Sequence, residues 1–262
     1  MDIIEKLKST FKDYFDNPKY VYKCIGDKYL IIFSKLDNTK ILCSHIVDEK
    51  YAMYSANKLF VEKIININEM TECDEVSETI SWNPVNYKLK YVTGQIIKKL
   101  EWTDGTTLVH NSWIEHYKNI EPAYFNNLPI AHHNTHIKGF NGKYCKWYKS
   151  GQLWIECMFE NGNSLYYKSW HNNGQLYEDC IIYRDTNNWK RIETKFYSPT
   201  GKLHMYCCNK DGVYIVTTYY DNEKVQYIEE YRDQKLIKYQ EWDKEGNKTK
   251  DIDKTKNSCN IM

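Results

Sequence analysis

The chain has 262 residues, which at about 150 residues per domain makes one or two domains and leaves room for a core. Its 36 basic and 35 acidic side chains leave a net charge of +1, so no global electrostatic attraction to nucleic acid or to an anionic membrane is expected. A hydrophobic content of 42% and an aromatic content of 15%, with 24 Tyr and 8 Trp, exclude a disordered chain. They favour strands over helices, because branched and aromatic side chains suit a pleated, half-buried surface.

In chain order, Ile4, Leu7, Phe11 and Phe15 recur at spacings of three to four, which predicts an amphipathic helix over residues 1–17 that docks on the first domain. The acidic residues in Met1–Lys6 do not suit a signal peptide, and no run reaches the ~18 apolar residues of a membrane span. Residues 18–127 read as an α+β domain of short strands: Tyr20–Ile25, Lys28–Phe33, Lys40–Ile46, Tyr51–Ser55 and Leu59–Ile67. Turns are expected at Gly26-Asp27 and Asp37-Asn38, and the acidic stretch Glu69–Glu78 reads as a solvated loop. Trp113–Tyr117 has strand character, and Glu121–Phe125 opens a short helix. If this region carried an enzyme, His45, Asp48 and His116 would be its titratable groups.

A linker is expected over residues 128–140, and it holds His132, His133 and His136, the densest histidine group in the chain. A zinc site there would need a fourth ligand and supporting partners, and no Cys or carboxylate lies close by in sequence. The segment therefore reads as a polar connector, with no metal and no other cofactor expected. The nine cysteines form no Cys-x-x-Cys pair, and a reduced compartment is the default for a chain without a secretion signal.

Self-similarity organises the second half. Tyr144–Leu153 around Gly151 resembles Tyr167–Leu176 around Gly174, 23 residues on; Phe196–Leu203 around Gly201 follows after 27. A degenerate copy, Tyr219–Val225, has Glu223 at the glycine position, and a fifth, Trp242–Asn247, has Gly246. Four residues before these positions stand Trp147, Trp170, Tyr197, Tyr219 and Trp242, the expected repeat-core aromatics, which fill the sheet or offer contact area at low entropic cost. Each unit reads as strand, tight turn, strand and a second turn such as Glu160-Asn161-Gly162, a β-hairpin repeated end to end over residues 141–250. Without room for a crossover helix the sheet must be antiparallel. Cys157, Cys180 and Cys207 recur six residues after the glycine position, which predicts a ladder of buried thiols rather than metal ligands. A sixth copy, or an ordinary hairpin that converges on the same pattern, is readable from Gly94 to Gly105.

The pattern Tyr-x-x-Trp-Tyr/His-x-Asn/Ser-Gly-Gln-Leu, at a period of 23, resembles the MORN-type repeat variant of the YwqK family, which is abundant in giant DNA viruses of amoebae (mimivirus-like). Val47–Lys58, Tyr91–Ile96 and Ile114–Tyr117 are similar to parts of the domain that often precedes such arrays. The resemblance implies a mainly β fold: an N-terminal α+β domain followed by an extended antiparallel β-hairpin sheet. It implies no catalytic residues, and a setting in host cytoplasm or virion. YwqK-like proteins are sometimes labelled antitoxins, which makes an antitoxin-like inhibitor one alternative. Eukaryotic MORN repeats are associated with lipid binding and scaffolding, but their glycine-rich pattern is absent here.

No phosphate loop, Gly-x-Ser-x-Gly, His-Glu-x-x-His or paired-carboxylate arrangement stands out, so the chain reads as a non-enzymatic interaction or scaffold module with an unknown protein partner. Residues 251–262 read as a flexible tail ending Cys259-Asn260-Ile261-Met262, which fits a prenylation box with a terminal Met that favours farnesyl. One lipid chain anchors only marginally without a second signal, which Lys248, Lys250, Lys254 and Lys256 would supply. A peripheral membrane scaffold is therefore the other alternative. On that alternative, Cys259→Ser removes the protein from the membrane fraction of fractionated cells, and unchanged partition dismisses lipidation.

Overall fold

The computed structural model describes residues 3–15, 17–43, 45–82, 85–98, 100–103, 109–128, 139–185 and 188–255. His132, His133, His136, Gly105 and Cys259 lie outside them. The fold is mainly β with antiparallel sheets and a few N-terminal helices, as composition and turn spacing led one to expect. Two compact units form: Met1–Ile130 with Cys145–Gln152, and Ala131–Tyr144 with Leu153–Met262. The turn around Gly151 thus belongs to the first unit, not to the domain in which its sequence pattern placed it.

In the first unit the N-terminal stripe forms two short helices, α1 (Ile3–Thr10) and α2 (Lys12–Phe15), with Ile4 and Leu7 buried. The strands are β1 (Tyr20–Ile25), β2 (Tyr29–Ser34), β3 (Ile41–Leu42), β4 (Met53–Ala56), β5 (Lys58–Asn66), β6 (Thr71–Cys73), β7 (Glu75–Trp82), β8 (Val85–Val92), β9 (Ile96–Lys98), β10 (Leu100–Thr103), β11 (Val109–Ser112) and β12 (Ile114–Tyr117), followed by helix α3 (Ile120–Phe125). The main sheet runs β3-β4-β12-β1-β2-β5-β6, with β9 also on β5.

Strand β2 is buried at five consecutive positions, because both faces of the sheet are covered there. Val21, Ile31 and Phe33 meet Leu89 and Tyr91 of β8 on one face. On the other, Tyr22 stacks on Phe15 and its hydroxyl donates to the Tyr14 carbonyl at 2.7 Å. Each fully buried Ile or Phe stabilises by about 1.5–3 kcal/mol.

The acidic stretch expected as a loop is instead strand, β6 and the start of β7. Glu78 explains the difference: its Oε2 accepts from the buried Tyr91 hydroxyl at 2.9 Å and lies 3.2 Å from Lys23 Nζ, so the carboxylate is compensated against the sheet. Gly94 also departs from expectation, since β8 pairs with β7 and β9 with β5. Its turn therefore joins two pairings and is not a hairpin of the Gly151 type.

The second sheet has ten strands in chain order: β13 (Gly142–Trp147), β14 (Leu153–Glu160), β15 (Asn163–Trp170), β16 (Leu176–Asp185), β17 (Asn188–Tyr197), β18 (Leu203–Lys210), β19 (Val213–Tyr219), β20 (Val225–Arg232), β21 (Lys235–Trp242) and β22 (Lys248–Asp253). The last strand runs to Asp253 and so takes in the first three residues of the expected tail.

Five of its turns share one hydrogen-bond pair. Tyr148 N–H donates to the Gln152 carbonyl and Gly151 N–H to the Tyr148 carbonyl. The same pair recurs at His171/Gln175, Ser198/Lys202, Tyr220/Lys224 and Asp243/Asn247, all at 2.8–3.1 Å. The glycine position has φ between +82° and +94° except where Glu223 adopts +65°, so the degenerate copy keeps the turn despite a side chain that disfavours it by about 1–2 kcal/mol.

Gly151 has a second constraint. A Cβ there would lie 2.1 Å from the Asp48 carbonyl oxygen and 2.8 Å from Ala52 N, both backbone atoms. Gly212, at φ +75°, has nothing within 4 Å. Gly212→Ala should cost about 1 kcal/mol of backbone strain. Gly151→Ala should cost well over twice that, because the backbone must also move, and urea denaturation of the two variants checks the ratio.

Candidate functional site

Cross-strand register sorts the ten-stranded sheet into two faces. Opposite residues form the row Cys157–Tyr167–Cys180–Thr194–Cys207–Val216–Glu229–Tyr239–Ile252. Its first five members are buried, the next three half-buried, and Ile252 is 37% exposed. A parallel row on the same face runs Ile155–Ser169–Glu178–Phe196–Met205–Thr218–Tyr227–Glu241–Lys250. The three repeat cysteines thus stack as buried thiols two strands apart, roughly 9–10 Å, too far for disulfides.

The opposite face carries Glu156–Lys168–Asp179–Lys195 as directly opposed residues of alternating charge. Lys168 lies 3.8 Å from Asp179, and Lys143 lies 2.7 Å from Glu156. Burial works against the Glu156 charge, but hydrogen bonds from Lys143 and Tyr166 outweigh it and hold the carboxyl below its usual range.

Trp147, Trp170, Tyr197, Tyr219 and Trp242 are half-buried and do not join the fully buried set. Each stands at a strand end beside its turn, and the last four pair across the hairpin with Leu176, Leu203, Val225 and Lys248 after a bulge. Trp147 stacks on Tyr51 within the first unit, ring centroids 4.7 Å apart and 4° from parallel. The same turn accepts backbone bonds there from Val47 N–H to the Ser150 carbonyl and from Met53 N–H to the Lys149 carbonyl.

Successive turns in the second unit are tied by side chains. His171 Nε2 lies 3.0 Å from the Tyr197 carbonyl, and Asn173 donates to the Pro199 carbonyl at 2.9 Å. One pair of turns later, Tyr220 donates to the Trp242 carbonyl and Asn222 to the Lys244 carbonyl, at 2.9 and 3.0 Å. Lys202 and Lys224 add bonds to the Asp221 and Glu245 carbonyls at 2.6 and 2.8 Å.

At the other end of the hairpins, on the cysteine face, a cavity of about 490 Å³ opens between Tyr214 and Tyr231, with Val216, Asn209, Asp233 and Gln234 around it. The two rings are cross-strand partners, 6.5 Å between centroids. Tyr231 donates to Glu229 Oε2 at 3.0 Å; desolvation and that bonded carboxylate raise its hydroxyl above the usual range. Tyr214 follows the Asp211-Gly212 turn and Tyr231 precedes the Asp233-Gln234 turn. The glycine-centred alignment of the repeats did not reach this groove; the tyrosines flanking the second turns were the available signal.

The structure does not bring His45, Asp48 and His116 together. His45 and Asp48 are exposed, and the Asp48 carboxylate accepts from Lys50 N–H at 2.9 Å. His116 is buried beside Tyr54, with Nδ1 3.1 Å from the Ile114 carbonyl. Among the described residues no cluster of three His, Cys, Asp or Glu could hold a metal ion, and no helix is long and apolar enough to cross a membrane. No family model and no curated protein matches the chain.

Burial pushes the His116 imidazole down from 6.5 to about 4, and Lys35 and Lys23 add to the effect against the opposing Ile114 bond. The ring is therefore neutral in the fold, whereas the unfolded chain takes up a proton below pH 6.5. The stabilising contribution is complete above pH 6.5 and falls away as the pH drops toward 4, by on the order of 3 kcal/mol. Denaturation midpoints across that window should show the loss, and His116→Asn should flatten it.

Proposed function

We propose that the ten-stranded sheet is a non-enzymatic, MORN-type (YwqK-like) interaction module that holds a protein partner on the C-terminal half of its cysteine face. The observation that carries this is the change along a single row: buried from Cys157 to Cys207, half-buried at Val216, Glu229 and Tyr239, exposed at Ile252. The early strands keep that face to themselves, and the later ones present tyrosines and aliphatic groups with a cavity between them. Tyrosine offers a large, rigid contact area with few rotatable bonds, which suits binding surfaces. On the YwqK-like reading the setting is host cytoplasm or virion.

Neighbouring residues on one strand provide the test, because Tyr214 and Ile215 point to opposite faces. A photo-crosslinking phenylalanine analogue at position 214, in the protein's native cellular background, should give one discrete protein adduct, and the same group at position 215 should not. Equal labelling from both positions, or none from 214, overturns the proposal.

A further inference from the structure

The chemistry of the groove is one-sided. The residues that line it are Tyr214, Tyr231, Val216, Gly212, Asn209, Gln234 and Asp233, so its one carboxyl group is that of Asp233 and no Lys or Arg is among them. Glu229 stands opposite Val216 and is already bonded to Tyr231. In the two rows that cross this part of the face, from Met205 and Cys207 onward, the ionised residues are Glu229, Glu241 and Lys250.

That lysine shows how the face treats a cation. Lys250 stands opposite Glu241, and its ammonium lies 5.3 Å from the centroid of the Tyr239 ring. A ring face with a carboxylate beside it thus already holds a positive charge one strand pair away from the groove. Cation–π attraction contributes more when the cation is partly desolvated, as it would be lying against the two rings inside the groove. A guanidinium adds a planar fork that matches a carboxylate with two hydrogen bonds, which an ammonium does not.

We propose that the groove between Tyr214 and Tyr231 is the docking site for an arginine side chain in a basic segment of the partner protein, stacked on the rings and paired with Asp233. This rests on the interaction-module reading and names the partner's chemistry within it. At about 490 Å³ the cavity has room for the flanking peptide as well as the side chain. Asp233 is held beside the groove by its backbone: Asp233 and Gln234 adopt φ +48° and +61°, the left-handed pair of a tight hairpin turn.

The full chain, labelled with ¹⁵N, would be titrated with acetyl-Gly-Arg-Gly-Arg-Gly-amide and followed by amide shifts at residues 209–216 and 229–234. Matched peptides with Lys, Gln or Glu in place of Arg form the comparison. Asp233→Asn is the key variant, since Asn tolerates positive φ and keeps the turn while the charge is lost. The expected result is saturable shifts at those residues with Arg, weaker binding with Lys, none with Glu, and roughly tenfold weaker Arg binding in Asp233→Asn. Equal binding of the Gln peptide, no response to Arg, or no effect of Asp233→Asn overturns the assignment. If the adduct at position 214 still forms in that case, the interaction module stands and only its cationic partner is wrong.

Discussion

A hairpin turn leaves carbonyl oxygens that the strand ladder does not use, and a side chain that donates to one ties its own turn to that one. In the second unit those donors come from the preceding turn. His171 and Asn173 reach Tyr197 and Pro199, and Tyr220 and Asn222 reach Trp242 and Lys244 from equivalent positions. One such bond contributes about 1 kcal/mol. Their equivalent placement matters more, because each pair ties one turn to the next and so helps to hold strand register. A slip of one residue would exchange the two faces of a strand. Held in register, the thiols of Cys157, Cys180 and Cys207 share one face, and Glu156, Lys168, Asp179 and Lys195 share the other.

Register alone does not decide which surface is left for a partner; the edges contribute to that. The final strand, Lys248–Asp253, carries Lys248, Lys250, Asp251 and Asp253 and is mostly exposed. Charged side chains on an edge oppose the addition of another strand. Lys248 and Asp251 are also paired with each other at 3.0 Å. With the edge guarded in this way, the half-buried tyrosines of the later strands make the face, not the edge, the more hospitable surface.

Much of the fold was legible in the sequence because the period of the second half is carried by turns. The glycine positions, the aromatic four residues before and the aliphatic two after are a turn, a strand end and its cross-hairpin partner. Degeneracy at Glu223 did not hide the fourth copy, since backbone geometry tolerates what composition disfavours. Strand edges in the first unit were less legible. Lys40–Ile46 contracts to Ile41–Leu42, the two residues that pair with β4, and most of the acidic stretch becomes strand, where the distant partners Tyr91 and Lys23 compensate Glu78. The repeat aromatics, expected either to fill the sheet or to offer contact area, stand at strand ends beside their turns, which leaves them half covered. The groove was the least legible part, because its two tyrosines are 17 residues apart and flank the second turns, outside the glycine-centred motif.

Backbone conformation around that groove links architecture to recognition. The tight turns at Asn161-Gly162 and Asp211-Gly212 use glycine at their second position, with φ +81° and +75°. The third such turn has Gln234 there at +61°, which is about 1–2 kcal/mol less favourable for a residue with a side chain. Its neighbours show that glycine is compatible with this place in the sheet, so the fold itself does not require glutamine. What glutamine adds is an amide-bearing side chain at a position that lines the groove, next to Asp233. Local strain of this kind persists where the surrounding structure over-determines it, and it gathers at ligand sites. In this sheet the groove has one turn of each kind on its wall: Gly212 keeps glycine on the Tyr214 side, and the strained Gln234 falls on the Tyr231 side, next to Asp233.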